Sequence, residues 1–479
     1  MLRNTRRFAA ALPLVLAASA ALAQPSEVKS TLDAIFDQQV FARGMHGCVV
    51  RTLDTGRTVY ARNPDTLLNT ASNMKLLTSA AAIERLGPDY HYKTRLLASQ
   101  APDASGTVQG DLFLAGSGDP ILETKALFAM VEEARKRGLK RVTGSVVGDT
   151  GAFDRSPYGW GWSWDYLDDY YAAPAGGLNL DWNVARIMVR PGAAPGAPAR
   201  VTLEPSSPTL RVVNRVVTGS PSDKFSISRE REYPGWSIIV SGTIPSGADE
   251  ARPAGTVAVV DPAEHAAWVL RGLLQSAGVT VEGRARKGSA PGGAVELASH
   301  QSAPMNEIIV KLNKPSDNLI AECLLRTLGA EGEGSGSVSA GRRAAYGFLK
   351  GAGLDMDGVN MADGSGLSRM DMVTAENFVR LLEYMHKSKN GPAWKNSLPV
   401  AGVDGTLRSR MKGSPAEKNV TAKTGYIGYV SSLSGYVTTA AGQPLAFSIL
   451  FNNQLGGVTP CLVAERSVCA YLAGLNEKL

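Results

Sequence analysis

The sequence predicts an α/β (α+β) protein. Its antiparallel sheet and helices are assembled from both ends of the chain, around a large β-rich insertion. Three observations predict this. Strand-like runs stand near the start, "GCVVRTLDTGRTVYARN", and at the end, "GYIGYVSSLSGYVTTAAGQPLAFSILFNN". Stretches with helical spacing lie just inside both. From about His91 to His300 the texture changes to short apolar pieces separated by turns. At 479 residues the chain is also too long for one simple core.

The opening segment "MLRNTRRFAAALPLVLAASAALAQ" has a basic start, an apolar run and a small-residue site at Ala21-Leu22-Ala23. It reads as a secretory signal, residues 1–23, cut before Gln24. The Arg6-Arg7 pair also raises a twin-arginine export reading. No later stretch offers the 18 or so apolar residues of a membrane span, so the mature chain is expected to have none. Losing Arg3, Arg6 and Arg7 and no acid lowers the net charge from +6 to +3. That is too little positive charge for a nucleic-acid binder. An exported, mildly basic protein suits an anionic polymer such as cell wall.

Lys29 to Phe41 predicts a short helix, and the runs on either side of Asp54-Thr55-Gly56 a hairpin. Asn69 to Tyr90 reads as one helix. Leu76, Leu77, Ala80, Ile83 and Leu86 form its apolar stripe, and Gly87-Pro88 stops it. The insertion, 93–299, carries a nested subdomain at about 185–257 and closes with a helix from Pro262 to Ala277. Further helices are predicted at Asn318–Leu328, Gly341–Gly351 and Thr374–His386, the last capped by Thr374, and from about Leu462. Residues 24–92 and 300–479 then make one domain. Cys48 and Cys323 lie in apolar stretches and read as buried thiols; Cys461 and Cys469 flank one C-terminal helical segment. No cysteine or histidine spacing suits a metal, and no cofactor or metal is expected.

Ser72 and Lys75 open the long helix, three residues apart and on one face. They are either a helix cap and a solvated lysine, or a nucleophile beside its base. Spacing alone does not choose, because Ser26–Lys29 and Ser409–Lys412 show it too. Ser72 differs in opening an apolar helix. Backbone N–H groups and a positive dipole end there favour a developing oxyanion. Burial would lower the amine's pKa so that it accepts the serine proton.

Two later motifs decide between the readings. Ser316-Asp317-Asn318 sits at the mouth of a helix, and Lys423-Thr424-Gly425 opens a strand. Lys423 and Thr424 offer a charge and a hydroxyl to a carboxylate, and Gly425 lets a ligand backbone approach the sheet edge. Lys-Thr-Gly is expected roughly a tenth of a time by chance in such a chain. The three motifs in this order are those of penicillin-binding proteins and class A β-lactamases.

With these motifs and the stretches "LAGSGDP", "ADGSGLSR", "GVDGTLRSRM" and "AKTG…SLSGYV", the sequence resembles the low-molecular-mass class C penicillin-binding proteins. These are D-alanyl-D-alanine carboxypeptidase/endopeptidases, and the likeness spans nearly the whole mature chain. The 241 positions from Lys75 to Ser316 match the family's large insertion. The resemblance implies a serine β-lactamase/DD-peptidase-like domain, periplasmic location, peptidoglycan stem peptides as substrate and β-lactams as inhibitors. It implies Ser72 as nucleophile, Lys75 as its base, and Ser316 with Lys423 as proton relay to the leaving D-Ala. Asn318 would bond the substrate backbone, Lys423 and Thr424 would hold the terminal carboxylate, and the N–H groups of Ser72 and Tyr426 would form the oxyanion hole. Tyr426 departs from the small hydroxyl residue frequent there. In "GWGWSWDYLDDYYAAP" the resemblance implies Asp165 as partner of the diaminopimelate amine, with Trp162 and Trp164 as apolar support and Asp168 and Asp169 close by. A homodimer is compatible with the sequence. A β-lactamase or esterase on the same scaffold and a non-catalytic wall binder are the competing readings.

Overall fold

The computed structural model describes residues 26–167, 169–219, 221–230, 237–248 and 250–479. The signal-like segment 1–23 and Asp168 lie outside the described residues. No helix among them is long and apolar enough to cross a membrane.

Strands from both ends of the chain build one five-stranded antiparallel sheet. They are β1 (Met45–Thr52), β2 (Thr58–Arg62), β3 (Thr421–Ile427), β4 (Val430–Thr438) and β5 (Pro444–Asn452), in the order β2-β1-β5-β4-β3. β1 pairs along its length with β5, from Met45 opposite Asn452 to Thr52 opposite Leu445. Successive side chains of a strand face opposite sides. In β5, Leu445, Phe447, Ile449 and Phe451 therefore enter one core while Ala446 and Leu450 enter the other. Both faces are covered, so β5 reads as an almost unbroken apolar run.

One face carries α1 (Ser26–Phe36) and α7 (Thr459–Ala473). The other carries α2 (Met74–Leu86), α3 (Met305–Asn313), α4 (Asn318–Glu333), α5 (Val338–Gly351) and α6 (Ala375–Lys387). Thr374 caps α6, its hydroxyl accepting from Asn377 N at 3.2 Å. The first helix is shorter than predicted: α1 ends at Phe36, and Gln39–Phe41 is a separate 3-10 turn. All four cysteines are buried and unpaired, with Cys461 and Cys469 both on α7.

The predicted single helix from Asn69 is a second difference. Leu68–Asn69 is a short strand, Ala71–Asn73 a 3-10 turn, and α2 begins only at Met74. Ala71 takes φ 42°, outside the α region. Asn69 holds it there, its Oδ1 accepting from Ala71 N at 3.1 Å. The hydrophobic period carries no trace of that kink. The stop is where it was expected: Gly87 has φ 90°, and its N–H donates to Ile83 O.

The segment between the two halves of this sheet has its own layers. Lys93–Ala98, Leu112–Ala115, Val146–Asp149, Ala285–Gly288 and Val295–Gln301 form a mixed five-stranded sheet. Helices Thr124–Lys136 and Pro262–Ser276 pack on it over a separate core. Between Val184 and Ala258, two three-stranded sheets enclose a further small core.

Candidate active site

The three motifs meet where α2, the α3–α4 turn and β3 converge. Lys75 is fully buried, and its Nζ donates to Ser72 Oγ at 2.9 Å. It also donates to Asn318 Oδ1 at 2.5 Å and to the Ser365 carbonyl at 2.6 Å. Lys423, buried as well, donates to Ser316 Oγ at 2.8 Å and to the Thr424 carbonyl at 2.8 Å. Each serine of the pair thus lies within one hydrogen bond of a buried lysine.

Local geometry explains how the residues get there. Residues three apart nearly eclipse in a 3-10 turn, so starting Ser72 in one brings its Oγ over Lys75. Ser316 takes φ 68°, uncommon for a residue with a Cβ, in the tight link between α3 and α4. Asp317 then caps α4, its carboxylate accepting from Ile320 N at 2.9 Å. The Asn73 side-chain amide spans the Lys423 carbonyl at 2.8 Å and the Ser434 hydroxyl at 2.7 Å, tying the Ser72 turn to the sheet. Gly425 is needed for a different neighbour than a ligand. A Cβ there would lie 2.9 Å from Ser72 N, 2.8 Å from Thr70 O and 2.2 Å from Ser432 Oγ. The bare Cα lets the strand meet the backbone at Thr70 and Ser72.

Burial dominates the electrostatics. It pushes Lys75 down to about 8, although the carboxyl groups of Asp363, Asp317, Glu322 and Asp371 pull the other way. Burial, then the charge of Lys75, hold Lys423 well below the ordinary lysine range. A lysine near 8 is partly neutral at neutral pH and can take a proton from Ser72. The decoys lack this setting: Lys29 and Lys412 are exposed.

Sequence reasoning missed the support behind Lys75. The loop Ala362–Asp371, noticed only for its likeness to a family stretch, folds around buried carboxylates. Glu322 Oε1 accepts from Gly364 N (2.9 Å) and Ser365 N (3.0 Å), while Oε2 pairs with Arg326 at 3.1 Å. Asp371 Oδ1 accepts from Ala362 N at 2.7 Å. Burial, the charge of Asp363 and a hydrogen bond with it raise the Asp371 carboxyl well above its usual range. The only sequence signal was an aspartate followed by two close-set glycines, Gly364 and Gly366. A Cβ on Gly366 would sit 1.8 Å from Ala71 O.

The cleft over Ser72 holds about 300 Å³, with Ser316 and Asn318 on its floor and Tyr166, Tyr171 and Tyr426 among its walls. Thr424 is half-buried and donates its hydroxyl to Thr406 Oγ1 at 2.7 Å. Tyr426 is 64% exposed at the rim. Asp165 is exposed on the 3-10 turn Trp164–Tyr166, next to the cleft-lining Tyr166 but not itself in that lining. A larger cavity, about 520 Å³, opens beside Arg155, Asp261 and Lys287 and holds none of the three motifs.

The sequence profile of the D-Ala-D-Ala carboxypeptidase 3 (S13) family matches residues 28–463. The chain is 38% identical over 472 residues to the D-alanyl-D-alanine carboxypeptidase of Actinomadura sp. (strain R39), covering 94% of this chain and 86% of that one. It is 28% identical over 423 residues to D-alanyl-D-alanine carboxypeptidase DacB of Haemophilus influenzae, covering 86% of each. The crystal structure of penicillin binding protein 4 (dacB) from Haemophilus influenzae aligns with a TM-score of 0.80 at 26% identity, over 93% of this chain and 99% of that chain. With a serine, two buried lysines and an asparagine gathered at one cleft, the chain belongs to the D-Ala-D-Ala carboxypeptidase 3 (S13) family.

Proposed function

We propose that the protein is an exported serine DD-peptidase. It removes the terminal D-Ala from peptidoglycan stem peptides and also cleaves D-Ala–diaminopimelate cross-links. Residues 24–92 and 300–479 form its catalytic domain and 93–299 an inserted unit. The observation that carries the reading is the buried Lys75 amine 2.9 Å from Ser72 Oγ, with Ser316 2.8 Å from Lys423. The relatives named as D-alanyl-D-alanine carboxypeptidases supply the substrate class.

In this mechanism neutral Lys75 takes the Ser72 proton as Oγ attacks the carbonyl of the penultimate D-Ala. The oxyanion is received by the N–H groups of Ser72 and Tyr426. The Ser316 hydroxyl, backed by Lys423, passes a proton to the leaving D-Ala amine. Lys423 and Thr424 hold the terminal carboxylate. Asn318 spends one N–H on Tyr171 O at 2.8 Å, leaving the other for the substrate amide. Water then hydrolyses the ester on Ser72. A β-lactam enters the same first step and stays as the acyl-enzyme. Asp165 meets the free amine of the diaminopimelate residue.

The test is covalent labelling of the purified protein with a fluorescent penicillin, beside assays of D-Ala release from a pentapeptide and cleavage of a cross-linked dimer. We expect labelling and both cleavages, all lost in Ser72→Ala. Labelling that survives Ser72→Ala removes the assignment. Rapid penicillin turnover without a lasting adduct points to a β-lactamase instead.

A further inference from the structure

Besides Ser72 Oγ, Lys75 Nζ has two acceptors, Asn318 Oδ1 and the Ser365 carbonyl. Neither is set by the catalytic half of the chain alone. The Asn318 amide is turned by the bond from its Nδ2 to Tyr171 O. Ser365 belongs to the loop wound around Asp363. Asp363 Oδ1 accepts from Ser365 N (3.0 Å) and Gly366 N (2.6 Å). Its Oδ2 accepts from Ser368 N (2.7 Å) and from the indole Nε1 of Trp162 (2.7 Å). Three of these donors come from the loop itself. The fourth reaches across from the segment between residues 93 and 299.

The indole is fixed where it stands. A Cβ on Gly159 would lie 2.2 Å from Trp162 Nε1, so the chain passes over the ring at a distance only glycine permits. The ring also packs against the cluster of Ala71, Leu367 and Ile427, and Ala71 leads directly into Ser72.

We propose that Trp162 is a positioning residue for the base: its N–H, acting through Asp363 and the Ser365 carbonyl, holds the Lys75 amine against Ser72. The intervening segment thereby completes the acylation machinery, beyond any contact it makes with substrate. The inference rests on the reading of Ser72 and Lys75 as nucleophile and base.

The charged and titratable groups facing Lys75 are the carboxyls of Asp317, Glu322, Asp363 and Asp371 and the ammonium of Lys423, with Arg326 paired to Glu322. Without the indole N–H, Asp363 Oδ2 loses one of its donors, and the loop loosens. Water then reaches the amine. Because burial is the largest cause of its lowered pKa, that pKa moves back up.

The experiment is stopped-flow acylation of the full-length mature protein by a fluorescent penicillin, run to saturation between pH 6 and 10. Saturation separates initial binding from the acylation rate constant. Trp162→Phe keeps a ring and removes the donor. We expect its acylation rate constant to fall about tenfold at pH 7. The midpoint of its acid limb should move to higher pH, with the half-saturating concentration unchanged. Trp160→Phe, an exposed control on the same segment, should change neither. An acylation rate constant and pH midpoint equal to those of the unmodified protein overturn the proposal. Should Trp162→Phe melt below assay temperature, β-(benzothiophen-3-yl)alanine at position 162 exchanges only N–H for sulfur, and the same two outcomes decide. A protein that is not acylated even unmodified refutes the proposed function instead.

Discussion

Ser72–Lys75 and Ser409–Lys412 have the same spacing and opposite surroundings. At the first pair the lysine is fully buried and bonded to the serine, to Asn318 and to a carbonyl. At the second, both side chains are exposed in the turns that follow the 3-10 turn Gly405–Leu407. The spacing is therefore only a permission. Desolvation turns an amine into a base, and desolvation comes from residues hundreds of positions away.

Substitutions at the two pairs should have opposite consequences. The largest effect is expected from Ser72→Ala, which should leave no detectable penicillin adduct on a denaturing gel, while Ser409→Ala labels as before. Next, Lys75→Ala should slow acylation by about 10²- to 10⁴-fold in rapid-mixing kinetics. Lys412→Ala should stay within about twofold, as exposed substitutions generally do. The pH dependence sharpens the contrast. With Lys75 near 8, its neutral fraction falls about tenfold per pH unit below that value, so the acylation rate should climb towards pH 8 and level off above it. A flat profile from pH 6 to 9 would remove Lys75 as base.

A smaller loss is expected from Gly425→Ala, whose new methyl would press on Ser72 N and Ser432 Oγ. It should cost about 1–3 kcal/mol of stability by denaturant titration, with acylation slower by up to about 10²-fold. The smallest belongs to Asp165→Asn. On an exposed turn, its charge pair with a substrate amine is worth about 1 kcal/mol or less. A diaminopimelate peptide should lose up to about fivefold in kcat/KM, with penicillin acylation unmoved. Equal losses for both ligands would assign Asp165 to the fold rather than to the substrate.

The parts of the site that could be read from the sequence are those carried by short motifs on periodic elements. Ser72 stands before an apolar helix, Asn318 opens another, and Lys423 lies in a strand whose neighbours alternate between two cores. The support behind Lys75 could not be read. Nothing in the spacing of Glu322, Asp363 and Asp371 says that an acid of α4 and two acids of the loop are buried together, because the contacts join elements that only the fold brings together. The kink before α2 was hidden for a related reason. It depends on Gly366 standing against Ala71 O, a steric fact between residues 295 positions apart. Gly425 was recognised as a place of close approach, but what approaches it is protein.

The pairing of β1 with β5 also sets the order in which the molecule comes into being. Residues 45–52 can pair at once with 58–62, but their other edge waits for residues 445–452. The Ser72 turn has its sheet partner only once β3 is made. A growing chain therefore carries Ser72 for most of its synthesis without the strand that aligns it. Contacts this far apart form slowly, because a very long loop must close first. A half-made chain is consequently acylated poorly, and competence should arrive abruptly with the last three strands. Chains truncated just before β5 and just after α7 would display that step as absence and presence of penicillin labelling.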